Sequence, residues 1–142
     1  MLNEESILIA DTDPTFMQSL ACYLMENGFQ PTLMADVETA VAEVANGTFE
    51  IAVIEFCESL RCNGLKTALS QRSGETDIIL TCRSHSIKAE RAARELSPRF
   101  YFVKPVEVSD IFAVVLRIIE MKSKRKMAAL RRMEQRERVR HG

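Results

Sequence analysis

The sequence predicts an α/β chain: one five-stranded parallel sheet, doubly wound, with helices on both faces and a last helix extended at its C-terminal end. Short β-branched runs alternate with amphipathic stretches of about ten to fifteen residues, the pattern of βα units. The runs are apolar on successive residues, as strands covered on both faces must be. The chain has 142 residues, 46% apolar and 27% charged, which suits one domain with a real core and excludes disordered and collagen-like classes.

Each element has its own warrant. Ile7–Ala10 is the first strand. Asp13 is placed to cap a helix with Pro14 at its first position, Phe16, Leu20 and Leu24 line one face, and Asn27-Gly28 ends it. A weaker strand spans Gln30–Met34. Asp36 starts the second helix, with Val37, Ala40, Val41 and Val44 as its stripe, and Asn46-Gly47 closes it. Ile51–Ile54 is the third strand, and a helix from near Gly64 carries Leu65, Ala68 and Leu69. Asp77–Leu80 is the fourth strand, followed by a mostly polar helix from about Ser86 to Leu96. Arg99–Val103 is the fifth, and the last helix starts near Val106 with Ile111, Val114, Val115, Ile118 and Ile119 as its core face. Strictly alternating strands and helices favour the doubly wound arrangement.

Charge divides the chain in two. The formal net charge is −1, yet residues 1–120 carry −8 and residues 121–142 carry +7. We therefore read 1–121 as a folded domain and 122–142 as a basic helical extension or linker, which excludes a uniformly basic nucleic-acid binder. The N-terminal MLNEES lacks the basic and apolar regions of a signal peptide, and no apolar run reaches membrane-spanning length, so a cytoplasmic chain without a membrane partner is expected. Cys22, Cys57, Cys62 and Cys82 are too scattered for a disulfide framework, and reduced thiols are expected.

In open parallel sheets, ligands collect outside the carboxyl ends of the strands. Those ends are polar here: Asp11-Thr12-Asp13 after the first strand, Glu55 after the third, Thr81 after the fourth and Lys104-Pro105 after the fifth. Singly, each is an ordinary solvated strand end. Together, carboxylates, a hydroxyl and an ammonium suit a hard divalent cation and a phosphoryl group, and predict a shared site.

The stretches ILIADTDP, FEIAVIEF, DIILTC and FYFVKP, in this order and spacing, resemble the receiver domain of two-component response regulators over roughly Ser6 to Met121. The resemblance implies a CheY-like, flavodoxin-like fold and a signalling role without enzymatic activity or organic cofactor. By motif position Asp11 matches the first acid of a magnesium-binding pair, Glu55 the phosphoacceptor, Thr81 and Tyr101 the switch hydroxyl and aromatic, Lys104 the family lysine, and Pro105 its cis-proline. A weak magnesium site, if any, would use Asp11, Glu55 and the backbone carbonyl of Cys57. Partners implied are a histidine kinase or downstream effector, and a second copy across the face of the fourth helix, fifth strand and fifth helix.

The departures shape the expectation. Thr12 stands where the family has its second acid, and Asp13, next along, adds to the acidic pocket while also serving as the helix cap. Glu55 replaces the accepting aspartate, and its extra methylene lets it reach toward Lys104 and Thr81 and imitate a phosphorylated side chain. Positioning governs phosphoryl transfer, so a displaced carboxylate is a poor acceptor. The expected function is an atypical, phosphorylation-independent receiver. Two alternatives remain: a conventional magnesium-dependent phosphoacceptor, and a zinc module using Cys57, Cys62, Cys82 and His85, whose spacing is loose. A flavodoxin-type cofactor is disfavoured by a first turn that is acidic and lacks glycine, and neither His85 nor His141 lies in a nucleophile-elbow context.

From Met121 onward the only glycine is Gly142 and there is no proline, so the last helix is free to continue. Its apolar set, Met127, Leu130, Met133 and Val139, is too sparse for a heptad seam. A solvated extension or linker is the plain reading, docking on an acidic protein surface the next, and salt-sensitive, sequence-independent nucleic-acid contact the third.

Overall fold

Three strands made almost wholly of apolar residues form the middle of the sheet. In the computed structural model, which describes residues 5–46, 49–56, 76–84 and 86–141, β1 (Ile7–Ala10), β3 (Ile51–Glu55) and β4 (Asp77–Cys82) are buried along nearly their whole length. β2 (Thr32–Met34) and β5 (Phe100–Val103) form the more exposed edges. The order is β2-β1-β3-β4-β5, every pairing parallel. Strand order reverses at β1, so the carboxyl ends of β1 and β3 flank the switch-point crevice.

Local chemistry sets the helices. The Asp13 carboxylate accepts from the Thr15 and Phe16 amides at 3.0 and 3.3 Å to start α1 (Pro14–Glu26), and Gly28, at φ 91°, takes the left-handed backbone that ends it. Asp36 caps α2 (Val37–Ala45), accepting from the Glu38 amide at 3.1 Å and the Thr39 hydroxyl at 2.6 Å. Ser86 caps α3 (Ile87–Arg94) through the Ala89 amide at 3.0 Å. The last helix, α4, runs over Val108–His141. The helix expected from Gly64 lies outside the described residues, and the helices are numbered without it.

Two cores follow, one on each face. Leu20 and Leu24 of α1 and Ile111, Val115 and Ile118 of α4 pack on Ile9, Val53 and Ile79, while Ala40, Val44 and Ala93 of α2 and α3 pack on Leu8, Ile54 and Leu80. Tyr23 meets Phe112 edge-on at 5.1 Å between ring centroids, joining α1 to α4. Among the described residues no helix is long and apolar enough to cross a membrane.

Several boundaries differ from expectation. β2 begins at Thr32, after Pro31, which has no amide to donate to the ladder. β3 and β4 run farther, so Glu55 and Thr81 are ladder partners inside strands rather than loop residues beyond them. The α3 helix stops at Arg94, and Ser97 turns the chain at φ 52°. The α4 helix starts at Val108, and it continues unbroken to His141. Lys122, assigned from sequence to the extension, is held by the body: it donates to the Glu50 carbonyl at 2.6 Å and pairs with Asp77 at 3.3 Å. Asp77 also takes Arg99 at 2.6 Å, which ties β4, β5 and α4 together at the amino ends of the strands.

Burial gives a direct stability contrast. Ile9, fully buried in β1, should lose about 3 kcal/mol on Ile9→Ala in chemical denaturation, whereas Val139→Ala, at an exposed position of α4, should stay within about 0.5 kcal/mol.

Candidate functional site at the carboxyl ends of the strands

Asp11 follows β1 directly and is buried, with 1% of its surface exposed. A carboxylate taken out of water needs partners. Asp11 Oδ1 accepts the Asp13 amide at 2.8 Å, and Oδ2 accepts the Lys104 ammonium at 2.7 Å. Lys104 comes from the far edge, after β5, and precedes a cis peptide bond to Pro105. Its Nζ lies 4.2 Å from the centroid of the Phe16 ring, so an aromatic face from α1 supports the ammonium. The same Nζ is 3.4 Å from Glu55 Oε2.

Glu55 is the hub. The Thr12 hydroxyl donates to its Oε1 at 2.7 Å, and Arg83, just past β4, brings Nε to 3.3 Å from its Oε2. Arg83 Nη2 also donates to the Thr12 hydroxyl at 2.6 Å, closing a ring of three side chains from β1, β3 and β4. The crevice therefore holds two carboxylates against two cations.

These neighbours split the acidities. Burial, then contact with Glu55, raises the Asp11 carboxyl above its ordinary value, although Lys104 and the Asp13 amide pull the other way. Burial also pushes Glu55 up, but hydrogen bonds with Asp11 and Thr12 and the charges of Lys104 and Arg83 outweigh it and hold Glu55 below its ordinary value.

Sequence-derived candidates fare unevenly. Asp11, Glu55 and Lys104 converge. Asp13 does not join the acidic pocket with its side chain, which is occupied in capping α1; only its amide reaches Asp11. The Thr81 hydroxyl is fully buried and makes no hydrogen bond among the described residues, so Glu55 reaches Lys104 but not Thr81. Thr81 faces Phe102 in the next strand, not Tyr101, which is opposite Leu80. The Tyr101 hydroxyl is buried without a hydrogen-bond partner among the described residues, and desolvation, then the Cys82 thiol beside it, pushes its pKa up to about 12. Arg83, Thr12 as a donor, and Phe16 were missed. The available signal for Arg83 was charge balance: two carboxylates at neighbouring strand ends, one lysine, and a long cation two residues past Thr81.

The cation fit is poor. Lys104 and Arg83 already lie on the carboxylate oxygens that a divalent ion would use, and Thr12 offers a neutral hydroxyl where a charged ligand would be needed. Among the described residues no cluster of three His, Cys, Asp or Glu side chains is arranged for a metal. Of the zinc candidates, Cys82 is buried with its thiol donating to the Ser84 carbonyl at 3.0 Å, while Cys57, Cys62 and His85 lie outside the described residues, as does the Cys57 carbonyl.

No family model matches the sequence. Among solved structures, a CheY-like receiver domain protein from Methanospirillum hungatei is similar with a TM-score of 0.71 at 20% identity, covering 87% of this chain and 99% of that one. The fold is the response-regulator receiver fold. A response regulator from Burkholderia pseudomallei, solved with a phosphorylated aspartic acid and a calcium ion, matches this receiver fold with a TM-score of 0.66 at 17% identity, covering 86% of this chain and 73% of that one. The photosynthetic apparatus regulatory protein RegA of Rhodobacter capsulatus is 30% identical over 119 residues, 80% of this chain, and the match spans 62% of RegA's length.

Two measurements test the site. Removing one partner of a buried pair leaves bare charge, so Lys104→Met should cost about 3 kcal/mol, and adding Glu55→Gln in that background should return part of it. In a carbon-detected NMR titration Glu55 should titrate below its ordinary 4.5 and Asp11 above its ordinary 3.8. Glu55 then stabilises the fold above pH 4.5 and loses that contribution as pH falls through its folded value; Asp11 opposes folding above pH 3.8 and is relieved by acid. Glu55→Gln should consequently destabilise more at pH 7 than at pH 3.

Proposed function

We propose that the chain acts as a receiver-type module of a two-component signalling system, with an output that does not depend on phosphoryl transfer. The observation that carries this reading is the Lys104 and Arg83 pairing of Glu55, at 3.4 and 3.3 Å. An acceptor must present a free carboxylate oxygen to the incoming phosphorus. Glu55 has its oxygens committed to Thr12, Arg83 and Lys104, and its extra methylene supports the reading that they stand in for phosphoryl oxygens beside the lysine. The residue behaves as a permanent anion, standing in for the phosphorylated aspartate that the Burkholderia pseudomallei regulator carries. A metal-dependent step is not part of the reading, since the donor set suits a cation poorly.

The buried Tyr101 hydroxyl supports the same view, because the resemblance associates an inward aromatic with the phosphorylated state. The output surface is then the face of α3, β5 and α4, and the partners are a signalling kinase, an effector or a second copy. Nothing in this role requires catalysis by the chain itself.

Incubation with acetyl phosphate and magnesium, read by mass spectrometry, should leave the protein unmodified. The double variant Thr12→Asp/Glu55→Asp, which rebuilds the acid pair and shortens the nucleophile, should gain one phosphoryl group. Ready labelling of the unaltered chain that Glu55→Ala abolishes would overturn the proposal.

A further inference from the structure

The extension of α4 carries a feature beyond the site. Inside the body, Ile111, Val115, Ile118 and Lys122 face the sheet along one stripe. At 3.6 residues per turn the same stripe continues as Arg125, Ala129, Arg132, Arg136 and Arg140. Where the helix overhangs the domain, its core-facing stripe thus turns from aliphatic to arginine. Residues 123–140 are all exposed, while the helix itself is unbroken. From Met127 onward there is no lysine and the five permanent cations are all arginine, the side chain suited to paired contacts with phosphate oxygens.

We infer that this arginine row binds the phosphate backbone of duplex nucleic acid without regard to sequence. Three arguments favour a polyanion over the other occupants. The stripe from Arg125 to Arg140 covers about 22 Å, so its outer half stands more than a Debye length from the −8 body and is not spent on neutralising it. A second copy's extension carries the same +7 and is repelled. An acidic protein helix would need an apolar seam to bury, yet Met127, Leu130 and Met133 advance by three residues each and drift around the helix, and the next step, at 136, is arginine. A row of charges without a seam matches a regularly charged ligand.

Fluorescence anisotropy of the full chain with a labelled 20-base-pair duplex and a second duplex of unrelated sequence, from about 20 to 150 mM salt, tests this. Equal binding to both duplexes is expected, with a slope of log K against log salt near −3.6 for about four phosphate contacts. The triple variant Arg125→Gln/Arg132→Gln/Arg136→Gln should lose most of that slope. Lys124→Gln/Arg131→Gln/Arg138→Gln removes the same charge from the opposite side and should keep most of it, with circular dichroism confirming equal helix in both. No binding at 20 mM salt, equal losses in the two variants, or equally tight binding of poly-glutamate would each overturn the assignment.

Discussion

One ammonium group organises the carboxyl end of this sheet. Lys104 Nζ, 13% exposed as a side chain, reaches from β5 past β4 to Asp11 after β1 and Glu55 at the end of β3, and rests on Phe16 of α1. Without it a carboxylate as buried as Asp11 would be charged in a medium that penalises charge by several kcal/mol. Everything else at the site adjusts to this fact. Arg83 supplies the second positive charge, Thr12 bridges Arg83 to Glu55, and the Asp13 amide donates to the other oxygen of Asp11. The crevice is closed as an internal ionic network, so a small cation entering it would have to displace two tethered ones.

The parts of this picture that were readable in the sequence are those set by local chemistry and by strand composition. β1 could be bounded because ILIA is apolar and is followed by Asp11; α1 and α2 were readable because Asp13-Pro14 and Asp36 start them, Asn27-Gly28 ends α1 and Asn46 caps α2. The reach of Glu55 to Lys104 followed from the length of two side chains at known strand ends. Arg83 was legible only through charge balance, since its direction is fixed by Glu55 of β3 and the Thr12 hydroxyl, both remote in sequence. Thr12 was read only as a lost ligand; its role as a donor depends on where Glu55 points. The failure of Thr81 to meet Glu55 has a similar origin: the two are ladder partners, but Glu55 is drawn off by the cations.

Thr81 and Tyr101 lie on opposite faces of the sheet. Thr81 continues the alternation of Ile79 toward the α1 and α4 side, and Tyr101 packs with the cluster under α2 and α3. Each hydroxyl is buried and unpartnered among the described residues, which costs about 1–3 kcal/mol apiece relative to a satisfied group. A shift of β4 or β5 that wetted either hydroxyl would recover some of that cost.

The α4 helix connects the two ends of the molecule. It begins four residues after Lys104, runs down the domain on Ile111, Val115 and Ile118, and is held at the amino ends of the strands by Lys122 on Asp77 and the Glu50 carbonyl. Its buried side chains, Ile111, Val115 and Ile118, are aliphatic and tolerate small sliding, whereas the Phe112 edge contacts and the Lys122 contacts are directional and do not. An axial shift of α4 would thus be resisted mainly at Lys122, where a hydrogen bond from a charged group is worth about 1.5–3 kcal/mol. Because the helix is continuous through that point, any rearrangement at Lys104 large enough to move its start must either break this anchor or bend the helix.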